Sequence, residues 1–89
     1  MCRNIRPLFN FYPPVTEEEI RAAAVQFVRK VTGFNKPSKA NEGAFLAAVE
    51  EVSTVCRNLL GSLQTNAQPR NREEEAARAQ ARAMLRFSR

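Results

Sequence analysis

Phe45, Ala48, Val49, Val52, Val55, Cys56, Leu59 and Leu60 recur at the spacing of an α-helix, with no proline between Ser38 and Leu60. Ser38 precedes this run as a capping residue and Gly61 follows it, so the pattern predicts a helix from Lys39 to Leu60, roughly 33 Å long. An 89-residue chain folds into a body about that wide. Such a helix is expected to be the spine against which the other elements pack. A chain of this length accommodates one core and one domain, residues 1–89.

Two further helices are legible from their ends. Thr16 and Glu19 have capping-box spacing, Val15 and Ile20 that of a hydrophobic staple, and Glu17 and Glu18 suit a positive helix start. Ile20, Ala24, Phe27, Val28 and Val31 follow at the helical period, and Gly33 suits a left-handed terminus, which predicts a helix over about 17–32. Arg29 and Lys30 complement its last turn. Asn71 with Glu74 marks a third start, for a helix over about 72–87 whose apolar side is read as Ala77, Ala81, Met84 and Leu85. Residues 1–15 carry Pro7, Pro13 and Pro14 and are expected to be an extended arm. Its Ile5, Leu8, Phe9, Phe11 and Tyr12 are expected to pack across the helices, the sharper alternative being a partner-binding strand. The fold class expected is all-α, a compact three-helix domain with an extended N-terminal arm, a long central helix and no sheet.

The net charge is +5. Arg3 and Arg6 supply two positive charges at one end, six arginines against Glu73, Glu74 and Glu75 supply three at the other, and the middle is neutral. Such a balance favours anionic partners without specifying one. Cys2 and Cys56 form no CxxC pair and are too few for a secreted disulfide framework, so a cytoplasmic protein with reduced thiols is expected. No apolar run approaches the length of a membrane span, and no membrane association is expected.

The chain has no histidine and no aspartate, which removes the commonest general base and the commonest metal-binding nitrogen. Two thiols do not complete a zinc site, and neither a metal nor a cofactor is expected. Cys56 falls on the apolar stripe and reads as an inert core thiol, whereas Cys2, beside Arg3 and near Arg6, is the candidate reactive thiol because positive charge lowers a thiol's pKa. Arg78, Arg82 and Arg86 share one face of the third helix. They are read first as a solvated face matched to the helix dipole and second as a phosphate-neutralising stripe.

The best local site candidate is the segment Gly33-Phe34-Asn35-Lys36-Pro37-Ser38-Lys39-Ala40-Asn41. It concentrates donors at a helix start, where unpaired N–H groups already favour an anion. Lys36, Ser38 and Lys39 are the expected anion contacts, with Arg3 and Arg6 completing the site if the arm folds back over the helices. The bland alternative is a simple helix entry. One glycine and no GxxxxGK[ST] pattern make this no phosphate loop.

Met1-Cys2-Arg3-Asn4-Ile5-Arg6 and Lys36-Pro37-Ser38-Lys39-Ala40-Asn41 resemble a family of small, mostly bacterial proteins known as a domain of unknown function. That resemblance covers almost the whole chain and implies a free-standing bacterial cytoplasmic protein. It brings no catalytic or binding residue with it. The residues therefore carry the functional expectation alone: a non-catalytic binding module for an anionic ligand, a nucleic acid or an acidic protein surface. The alternatives are a thiol enzyme or redox sensor built on Cys2, and a structural subunit pairing through its long helix. The long stripe of helix 39–60, with only one conventional helix on each side and an alanine-rich third partner to cover it, also predicts a tendency to homodimerise.

Overall fold

The computed structural model describes residues 4–87, with side chains through Leu85. Three helices dominate: α1 (Glu17–Thr32), α2 (Lys39–Ser62) and α3 (Arg72–Phe87). The expected all-α architecture holds, with one addition. Two short strands, β1 (Phe11–Tyr12) and β2 (Arg70–Asn71), pair in parallel with Phe11 opposite Arg70 and Tyr12 opposite Asn71.

Local interactions place the ends of α1 where the sequence predicts them. The Thr16 hydroxyl accepts the Glu19 N–H at 3.2 Å while Glu19 Oε1 accepts the Thr16 N–H at 3.0 Å, closing the capping box. Gly33, at φ 78°, stops the helix and donates its N–H to the Arg29 carbonyl at 2.8 Å. α2 continues through Gly61 to Ser62, two residues past the expected stop. Among the described residues Gly33 is the glycine at positive φ, so Gly61 stays helical at the modest cost any helix-interior glycine carries.

The core lies between α1 and α2. Ile20, Ala24 and Val28, four residues apart on α1, and Phe45, Val49 and Ser53, four apart on α2, are buried; Ala24 and Val28 meet Phe45 and Val49 in one cluster, and Val49 is fully buried. Each large apolar side chain buried here contributes roughly 1.5–3 kcal/mol. The short connector forces the two helices into an antiparallel hairpin. Arg21 pairs with Glu50 and Arg57 with Glu17, the latter at 2.6 Å, across one flank of it.

The spine expectation is corrected at α3, whose principal contacts run through β2 rather than through α2. Asn71 caps α3 as expected, its Oδ1 accepting the Glu74 N–H at 3.0 Å. The face that α3 turns inward is not the one predicted. Arg72, Glu75, Ala76 and Ala79 line the contact with the arm, while Met84 is 65% exposed and Leu85 69% exposed. Alanines surround α3 on every side, so its few large residues did not decide its orientation; the ion pair at Arg72 and the strand pairing did.

The arm does pack inward, through half-buried Leu8, Phe9, Phe11 and Val15, leaving Ile5 and Tyr12 exposed. The absence of any sheet is also corrected here. Asn10, at φ 63°, turns the chain so that its carbonyl accepts the Arg70 N–H at 2.8 Å and its amide donates to the Ala67 and Gln68 carbonyls at 3.3 Å. Asparagine tolerates this left-handed conformation better than most residues. The Arg70 guanidinium lies 5.7 Å from the centre of the Phe11 ring, and the Tyr12–Pro13 peptide is cis. The body is flat, 44 × 39 × 16 Å.

Candidate functional site

The arm runs antiparallel to α1, and its two anchors define two clefts. Asn4 donates its backbone N–H to Gln26 Oε1 at 2.6 Å, and Arg6 reaches Glu19 at 3.2 Å, nearer the start of the helix. Around the first anchor lies an open cleft of about 590 Å³ along α1, with Arg21, Val25, Gln26, Arg29, Lys30 and Asn35 in its lining. Volumes of roughly 300–1,000 Å³ are typical of small-molecule sites. Among the described residues Arg29 and Lys30 have no carboxylate partner, whereas Arg21 is held by Glu50. Glu18 also lines the cleft, leaving cations in the majority.

This cleft reaches the connector at Asn35, while Lys36, Ser38 and Lys39 are not part of its lining. Between Arg29 and Asn41 the chain carries Arg29, Lys30, Lys36 and Lys39 and no carboxylate. Ser38 sits at the capping position with extended backbone, yet its hydroxyl makes no cap hydrogen bond. Its Oγ instead accepts from the Asn41 side-chain amide at 3.0 Å. The start of α2 therefore keeps side-chain-free N–H groups at the positive end of a helix of 24 residues, in contrast to the closed box on α1.

A second cleft, about 510 Å³, lies between the arm, the start of α1 and the start of α3. Glu19 is its electrostatic centre. The Glu19 carboxylate takes the Thr16 N–H, and this bond does most to hold its pKa below the ordinary glutamate value; partial burial opposes the shift, and Arg72, at 2.5 Å, and Arg6 reinforce it. Three cations, Arg6, Arg70 and Arg72, and three carboxylates, Glu19, Glu73 and Glu75, line this cleft. The Glu19 cluster ties three elements together, and the lining as a whole leaves no net charge for a ligand.

Residues 1–78 match the family described as "Uncharacterized conserved protein (DUF2277)". The chain belongs to this family. No curated protein and no solved structure matches it. For this DUF2277 protein the site therefore rests on its own residues.

Of the residues singled out from the sequence, Lys36, Ser38 and Lys39 stand together at the start of α2, and Asn35 beside them enters the first cleft. Arg6 stands instead on Glu19, in the second cleft, and does not complete that group. Cys2 and Arg3 lie outside the described residues, as does the Arg86 side chain. Arg78 leans on Glu75 at 3.4 Å and Arg82 is exposed. Cys56 is half-buried and free. Among the described residues no three of His, Cys, Asp or Glu gather to hold a metal ion, and no helix is long and apolar enough to cross a membrane.

Sequence reasoning missed Arg29 and Lys30 as site residues because their fit to the helix dipole had already accounted for them. The acid-free run from Arg29 to Asn41 was the signal that marks them. Asn4 and Gln26 carried none, since their meeting depends on the path of the arm.

Proposed function

We propose that this DUF2277 protein is a non-catalytic binding module that takes an anionic, phosphate-bearing ligand at the closed end of the α1–α2 hairpin. The observation that carries the reading is the cleft beside Arg29 and Lys30, two cations without carboxylate partners among the described residues. Lys36, Lys39 and the uncapped start of α2 continue the same charge around the hairpin end. Arginine offers a planar fork of donors and the lysines mobile point charges, a combination suited to phosphate. Asn4, Gln26 and Asn35 add amide groups at the rim that select orientation rather than charge. The same reading places the protein in a reducing bacterial cytoplasm.

Titration with inorganic phosphate, nucleotides and short RNA, followed through the amide signals of residues 25–42 by NMR, tests this. Binding is expected to shift those signals, to weaken with salt and to fall at least tenfold in Arg29→Ala/Lys30→Ala. Lys36→Ala/Lys39→Ala is expected to weaken it less, and Cys2→Ser to leave it unchanged. If RNA is the ligand, each lost phosphate contact lowers the slope of log affinity against log salt by roughly 0.7–0.9. Unmoved signals would remove the site. Loss of binding only in Arg78→Ala/Arg82→Ala would move it to α3, and loss in Cys2→Ser would favour the thiol-dependent alternative.

A further inference from the structure

The hairpin has one polar flank and one apolar flank. Arg21–Glu50 and Arg57–Glu17 span the first. At about 100° per residue, Phe27 of α1 and Ala48, Val52, Val55 and Leu59 of α2 fall toward the other. Phe27 is 49% exposed, Val55 66% and Leu59 55%. Among the described residues, α2 makes its principal contacts with α1 and not with β1 or α3.

We infer that this flank is the interface with a second copy of the chain, formed by two α2 helices packed antiparallel about a two-fold axis beside Val52. Surface area gives the first argument. A monomer of 10.0 kDa is expected to expose about 5,200 Å², and this chain exposes 7398 Å². The half-exposed Phe27, Val55 and Leu59 contribute to that excess of about 2,200 Å² per chain. The radius of gyration, 15.9 Å against about 12 Å for a compact chain of this length, reports the same departure from a compact monomer. Part of the excess lies on α3, which stands away from the hairpin.

Self-complementarity gives the second argument and selects the occupant. Positions 48, 52, 55 and 59 follow the alternating steps of four and three that make a continuous seam between helices. The side chains in that seam are small in the first half of α2, with Ala44 and Ala48, and large in the second, with Val55 and Leu59. An antiparallel pair sets Ala48 against the partner's Val55 and Ala44 against the partner's Leu59, at both ends by symmetry. Bulk thus meets space, and each copy covers the other's exposed flank. The inference does not rest on the anion site, which lies at the closed end of the hairpin.

Light scattering coupled to size exclusion tests it. The protein is expected at twice 10.0 kDa at high micromolar concentration. Val55→Glu/Leu59→Glu is expected to run as a monomer with an unchanged helical circular dichroism spectrum, because both positions are exposed in the single chain. Leu46→Glu, 44% exposed on the polar flank, is expected to remain a dimer. In a Cys2→Ser/Cys56→Ser background, a mixture of Ala48→Cys and Val55→Cys chains is expected to form the mixed disulfide under mild oxidation. A monomeric parent protein overturns the inference, as does a Val55→Glu/Leu59→Glu dimer or the absence of the mixed disulfide. A dimer lost on Met84→Glu but kept in Val55→Glu/Leu59→Glu would place the interface on α3 instead.

Discussion

Ser53→Ala is expected to stabilise the protein, although it removes a polar group from a helix interface. Ser53 lies on the core face of α2 at 3% exposure, and its hydroxyl has no hydrogen-bond partner among the described residues. A hydroxyl buried without a partner costs roughly 1–3 kcal/mol by mutational measures. Alanine avoids that cost and adds a few tenths of a kcal/mol, on the order of 0.3–0.5, in helix propensity. The lost oxygen leaves a space smaller than a methyl group, which offsets up to about 1 kcal/mol. The net expectation is a gain of about 1–2 kcal/mol. An 89-residue chain has a total stability of about 4–13 kcal/mol, so the gain is a sizeable fraction of it. Thermal midpoints should rise by roughly 4–8 °C per kcal/mol. Urea and thermal unfolding followed by circular dichroism at one fixed protein concentration measure this, the fixed concentration removing any contribution from association. A Ser53→Ala protein less stable than its parent, with an unchanged denaturant slope, would show that the hydroxyl is satisfied in solution and refute the reasoning.

Val49→Ala removes two methyl groups from the fully buried centre of the α1–α2 core and is expected to cost about 2 kcal/mol, read as a lower urea midpoint. Glu19 has a folded-state pKa below its ordinary value, so its contribution is present above the unfolded pKa and is lost as pH falls through the folded one. Glu19→Gln should therefore weaken the protein at neutral pH and flatten the acid limb of stability against pH; an unchanged acid limb would mean that the Thr16 and Arg72 contacts do not form in solution.

What a short stretch of sequence determined here is what short-range interactions decide. Thr16 with Glu19, Gly33, and Asn71 with Glu74 act across three or four residues, and the ends of α1 and the start of α3 fall where those residues predict. The periodicities of Ile20, Ala24 and Val28 and of Phe45 and Val49 likewise announced the two faces that meet, because a helix brings every fourth side chain back to the same side. Lys36, Ser38 and Lys39 were legible as donors at a helix start for the same reason. The tertiary structure alone decided the rest. Whether Ser38 spends its hydroxyl on the helix end or on Asn41 turns on a competition between two nearby partners that spacing does not rank. Asn10 meets the loop at Ala67 and Gln68, and Arg72 meets Glu19, across more than fifty residues of intervening chain. Those pairings hold α3 on the arm instead of on α2, since an alanine-rich helix has too little apolar area to choose its own position, and a few directional bonds choose it.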